Sequence, residues 1–121
     1  MNKHTMPRVV YFHWNRDEAE VNSARLGGLG FDVEVGPQPS PAMLSELTAR
    51  PPDAIVIDLS RLPSHGRELA RAIRERKTTR SIPLVFLGGE PEKVERVRAI
   101  LPDAAFCGWE DAAATIAGAI L

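Results

Sequence analysis

Pro51-Pro52-Asp53-Ala54-Ile55-Val56-Ile57-Asp58 constrains the fold of this chain more than any other stretch. The double proline ends whatever regular structure precedes it, because proline lacks an N–H and fixes its own φ. The run that follows is apolar without alternation and too short for a helix, the pattern of a strand covered on both faces. Such strands occupy the middle of parallel sheets, where ligands and chemistry gather outside the carboxyl ends. Asp58 stands at that end. An aspartate there also serves as a cap for the following loop or helix, so the residue alone does not decide between chemistry and local structure.

The segments on either side repeat one pattern. Arg8-Val9-Val10-Tyr11-Phe12 has the β-branched and aromatic composition of a first strand. It runs through His13-Trp14 to Asn15, an N-cap followed by Asp17 and Glu18, acids suited to the positive end of a helix. That helix is expected to stop at Gly27-Gly28-Leu29-Gly30 in left-handed cap geometry. Residues 31–35 alternate, as an edge strand with one wet face would. Gly36-Pro37-Gln38-Pro39-Ser40-Pro41 reads as an irregular loop, and residues 42–49 as a short helix. Beyond Asp58, residues 61–66 read as a loop and 67–77 as an amphipathic helix facing Leu69, Ala70 and Ile73 inward. Residues 82–87 form another continuously apolar strand. A helix over 92–101, a short strand over 104–107 and a last helix over 111–121 complete the chain.

Five alternations of strand and helix, with short right-handed connections, predict one architecture. It is an α/β fold, a three-layer α/β/α sandwich on a five-stranded parallel sheet in the flavodoxin-like order 2-1-3-4-5. Residues 1–7 are expected to be a flexible N-terminus and 8–121 a single domain. A chain of 121 residues can bury a core of its own, and 15 Lys and Arg against 16 Asp and Glu leave no global field. Neither nucleic acid nor a membrane surface is therefore expected as a partner. No apolar run is long enough to span a bilayer. The single cysteine, Cys107, excludes an internal disulfide and a thiolate metal cluster and fits a reducing cytoplasm.

Asp58-Leu59, then Pro63 and Gly66, together with Ile82-Pro83 and Leu29-Gly30-Phe31, resemble the receiver domain of bacterial response regulators over essentially the whole chain. The proline of that family usually falls one place earlier. The resemblance implies that Asp58 occupies the position of the family's phosphoacceptor. It also implies departures. His13 and Trp14 stand where the family carries an acidic pair that holds Mg²⁺. Gly88, followed by Gly89, stands in place of a Thr or Ser that tracks the phosphoryl group. Trp109 or Glu110, depending on a one-residue gap, stands in place of a lysine. Magnesium wants oxygen ligands, and imidazole is a poor one. Phosphoryl transfer rests on positioning and charge stabilisation, where losing a single stabilising group costs on the order of a hundredfold in rate.

Other residues invite sharper readings. His13, Asp58 and His65 converging at the strand ends would suit a transition metal such as zinc or nickel, although a histidine bonded to a loop is the simpler expectation. Gly88-Gly89 before a helix could cradle an anion on backbone N–H groups, or simply turn the chain. Trp14 and Trp109 are expected to fill the vacated acid pocket, with partner anchoring as the other role for such rings. Cys107 reads as a small buried apolar side chain. The last helix, from Ala112 to Leu121, is apolar on nearly every face, which suits either burial against a second copy or plain tolerance of exposed alanines.

The expectation is a pseudo-receiver, not an enzyme, without cofactor and with weak or absent Mg²⁺ binding. It would act in two-component-type signalling through a protein partner such as a histidine kinase, or as a homodimer through its last helix. A phosphorylatable receiver using Asp58 with altered metal dependence is the first alternative. A small-ligand or metal-binding α/β domain is the second.

Overall fold

The computed structural model describes residues 6–121. The first five residues of the expected flexible N-terminus lie outside the described ones. Five parallel strands, β1 (Arg8–Phe12), β2 (Asp32–Val35), β3 (Ala54–Asp58), β4 (Leu84–Leu87) and β5 (Ala105–Cys107), form one sheet in the order β2-β1-β3-β4-β5. Five helices alternate with them: α1 (Arg16–Gly27), α2 (Pro41–Ala49), α3 (Pro63–Glu75), α4 (Pro91–Ile100) and α5 (Ala112–Ile120). This is the flavodoxin-like sandwich that the alternation predicts.

The sheet divides the core in two. On one face Val10, Phe12, Ile55, Ile57, Leu84 and Phe86 pack against α2, α3 and α4 through Met43, Leu47, Leu69, Ile73 and Val97. On the other, Val9, Tyr11, Val56, Val85 and Leu87 meet Leu26 of α1 and Ile116 of α5. All five residues of β3 are buried, which is why its sequence shows no alternation. β2 is the wet edge, as its alternation predicts.

Several boundaries differ from expectation. α3 begins at Pro63, not Arg67, because Pro63 takes the first helical position and residues 64–66 join the first turn. The chain enters it through Leu62, held in the left-handed region at φ 45°, which costs a leucine about 1 kcal/mol or more. α2 begins at Pro41, capped by the Ser40 hydroxyl accepting from the Met43 N–H at 3.1 Å. The glycines after α1 are not a left-handed cap. Gly28 remains right-handed and only Gly30 of that cluster has positive φ. A single 3₁₀ turn, Trp109–Asp111, precedes α5. The loop after β2 leaves under the ring of Phe12, where a Cβ on Gly36 would collide with the ring carbons. At the far end of the sheet, the Arg74 guanidinium donates to the carbonyls of Arg80 and Ile82 and binds the α3–β4 turn.

Candidate functional site

Asp58 ends β3 with 1% of its surface exposed. The parallel ladder sets Phe12 beside Ile57, so the residue after β1, His13, arrives next to Asp58. The carboxylate is satisfied from within. The Tyr11 hydroxyl donates to Oδ2 at 2.7 Å, and the Ser60 backbone N–H donates to Oδ1 at 2.7 Å. Asn22 on α1 donates from Nδ2 to the Tyr11 oxygen at 3.1 Å, so the phenol both accepts and donates. The phenol is held well above its usual pKa, first by burial and then by its hydrogen bond to Asp58 and the charge there, with Asn22 pulling the other way.

The His13 side chain is fully buried. Its Nδ1 accepts the Asn15 N–H at 2.9 Å, which places the proton of the neutral ring on Nε2. Nε2 faces Glu18 Oε1 at 3.2 Å and Asp58 Oδ1 at 3.8 Å without an aligned hydrogen bond to either. Glu18, in the first turn of α1, is in turn held by Arg61 of the β3–α3 loop, whose Nε and Nη2 reach Oε2 at 3.1 and 2.5 Å. That bond, ahead of the pair's charge attraction and the nearby His13, holds the Glu18 carboxyl below its ordinary range. Asp58 therefore sits beneath a chain of contacts that runs from Tyr11 through His13 and Glu18 to Arg61.

The other predicted site residues do not converge. Gly88 adopts φ +73° and its N–H already donates to the Cys107 carbonyl at 2.9 Å, so Gly88-Gly89 is a turn and its first amide is not free for an anion. A Cβ there would stand 2.9 Å from the Ser60 hydroxyl. Trp14 does not fill the acid pocket. It packs on the α2–α3 side, edge-on to His65 with ring centroids 6.0 Å apart. Trp109 lies on the opposite face of the sheet beneath the Arg25 guanidinium, 4.1 Å from its centroid. The expectation that these indoles close the pocket is overturned. Tyr11 closes it, from a strand position that reads as ordinary core. Glu110 is exposed and folds over Gly108. His65 stays with Trp14, so no His13–Asp58–His65 cluster forms. Cys107 is half-buried, its thiol pushed up by burial.

Neither of the two larger clefts opens on the carboxylate. One of about 700 Å³ runs past His13, Trp14 and the prolines of the β2–α2 loop. The other, of about 440 Å³, lies between α2 and α3 beneath Trp14. Among the described residues no group of three His, Cys, Asp or Glu is arranged to hold a metal ion. The Mg²⁺ that the fold family implies does not fit. A ring nitrogen carrying a proton is wedged between the two nearest carboxylates, and Asp58 has committed both its oxygens to donors of the chain. No helix among the described residues is long and apolar enough to cross a membrane.

No family model matches the sequence, and no curated protein matches it. Solved structures do resemble it. A sensor protein from Polaromonas sp. JS666 is 24% identical with a TM-score of 0.73, covering 94% of this chain and 95% of that one. The receiver domain of the sensor histidine kinase PA1611 from Pseudomonas aeruginosa, solved with a magnesium ion coordinated in its active site cleft, is 19% identical with a TM-score of 0.68 over 96% and 95%. Vibrio cholerae chemotaxis protein CheY4 is 18% identical with a TM-score of 0.66 over 94% and 95%. With the same strand order and an aspartate at the end of the central strand, this chain has the fold of the response regulator receiver domains.

Proposed function

We propose that this chain is a pseudo-receiver, a non-catalytic signalling module that works through protein contacts and not through phosphorylation of Asp58. One observation carries the reading. The carboxylate that would attack a phosphoryl donor is buried and has both oxygens engaged, by the Tyr11 hydroxyl and the Ser60 N–H. An attacking oxygen must reach the donor in line and must have its developing charge balanced. Here the oxygen faces a phenol and an imidazole in place of a metal, and no lysine or mobile hydroxyl stands at the ends of β4 and β5. Partners follow from the same reading. A protein surface of two-component-type signalling fits a chain of nearly balanced charge better than nucleic acid or lipid does.

Intact mass after incubation with acetyl phosphate and Mg²⁺, then Mn²⁺, tests it on the wild type and Asp58→Asn. No phosphoryl adduct is expected on either. An adduct on the wild type alone would overturn the pseudo-receiver reading and make Asp58 a working acceptor with altered metal use.

A further inference from the structure

The loop over Asp58 is held by a contact that the site's own hydrogen bonds do not require. Arg61 reaches across from the β3–α3 loop to Glu18, 43 residues earlier in sequence and on a different helix, with two guanidinium nitrogens on one carboxylate. The pair is on the outside, with 57% of the Arg61 side chain and 37% of the Glu18 side chain exposed. Directly beneath it the fully buried His13 presents an unpartnered Nε2 toward both Glu18 and Asp58. Immediately after Arg61 the backbone is forced into the left-handed region at Leu62, a leucine whose side chain is half exposed and gains little from the conformation. Strain persists only where surrounding contacts impose it.

We infer that the Arg61–Glu18 pair is a clasp that closes residues 60–62 over Asp58, and that its release exposes the carboxylate. This deepens the pseudo-receiver reading by saying what keeps the acceptor position shut. An exposed ion pair is weakly held and sensitive to salt, so this one can be released without disturbing the core. Two guanidinium nitrogens converging on Oε2 give it direction while it is closed. When the pair parts, the Ser60 N–H can leave Oδ1, and the space beside His13 opens to water.

Carbodiimide coupling to an amine nucleophile, mapped by peptide mass spectrometry, reads the exposure of Asp58 directly. Glu18→Gln and Arg61→Ala are each expected to raise the labelling rate at Asp58 about two- to fivefold, with the double variant no faster than either, since the two residues act as a unit. Unmodified protein gives a second reading that needs no variant. Raising NaCl from about 0.05 M to 1 M should speed labelling at Asp58 and amide exchange at Ser60, because screening weakens exposed pairs, and should leave Val56 and Ile57 protected. Labelling that is unchanged in folded Glu18→Gln and Arg61→Ala and at high salt would overturn the clasp, as would labelling that rises only with global unfolding. Such a failure leaves the pseudo-receiver reading untouched. A phosphoryl adduct on wild type would sink that reading and not the clasp.

Discussion

The two halves of the sheet's carboxyl edge relate to Asp58 in different ways. Beside β1 and β3 the residues are wired to it. His13 is buried against it, Tyr11 donates to it, and Glu18 and Arg61 close the entrance. Beside β4 and β5 the residues ignore it. Gly88 turns the chain, Trp109 packs under Arg25 of α1, and Glu110 folds back over Gly108. One half holds a network and the other holds an ordinary loop edge. On the reading proposed above, Asp58 serves as a buried, fully satisfied acceptor, and its partners are the groups that satisfy it.

If that contrast is right, substitutions in the first half carry the larger effects. Tyr11→Phe removes the donor to a buried carboxylate oxygen and is expected to cost about 2 kcal/mol. The thermal midpoint would fall by about 6 °C for a domain of this size. A loss under about 0.5 kcal/mol would show that Tyr11 merely fills space. The same hydroxyl can be followed spectroscopically, since Tyr11 is the single tyrosine of the chain. Its pKa is raised above the ordinary value of 10.0, so the stability held in the neutral phenol is complete below that pH and declines as pH rises beyond it. Absorbance at 295 nm should therefore stay flat through pH 10 and rise only together with the loss of helical circular dichroism. A separate rise near pH 10 with the fold intact would break the Tyr11–Asp58 link.

The second half should respond weakly and without gain of function. Gly88→Thr introduces a hydroxyl at the end of β4 but meets φ +73° and the nearby Ser60 side chain, for a cost of about 1–2 kcal/mol. Glu110→Lys, on an exposed residue, should stay within about 0.5 kcal/mol. Neither, alone or combined, is expected to give a phosphoryl adduct with acetyl phosphate. Recovery of labelling in the double variant would show that the β4–β5 edge alone disables the site.

Much of this is legible in the amino-acid sequence. The apolar runs at residues 54–58 and 84–87 and the helical spacing of Leu69, Ala70 and Ile73 are consequences of burial on known faces, and burial is what the sequence records most directly. Asp58 and His13 were legible because strand ends are legible. Tyr11 was not, because inside a strand a tyrosine reads as core, and only the positions of Asn22 and Asp58 show that its hydroxyl is employed. The one sequence signal was its being the single tyrosine, one residue before a strand end. Glu18 looked like a helix-start acid and Arg61 like a loop cation, and both descriptions remain true. Their pairing depends on a fold that brings α1 to the β3–α3 loop. The first turn of α3 was missed because Pro63, Ser64 and Gly66 carry loop chemistry, and the left-handed entry at Leu62 leaves no mark in residue type.

The contact of Phe12 with Gly36 decides how freely this surface can vary. Where the missing methyl of one residue is already filled by a ring, the alphabet allowed at that position shrinks to a single letter. The prolines that follow tolerate no rescue by backbone rotation. The wall they build beside His13 is therefore aimed from one point, and drift elsewhere in that loop can change its chemistry but not its bearing.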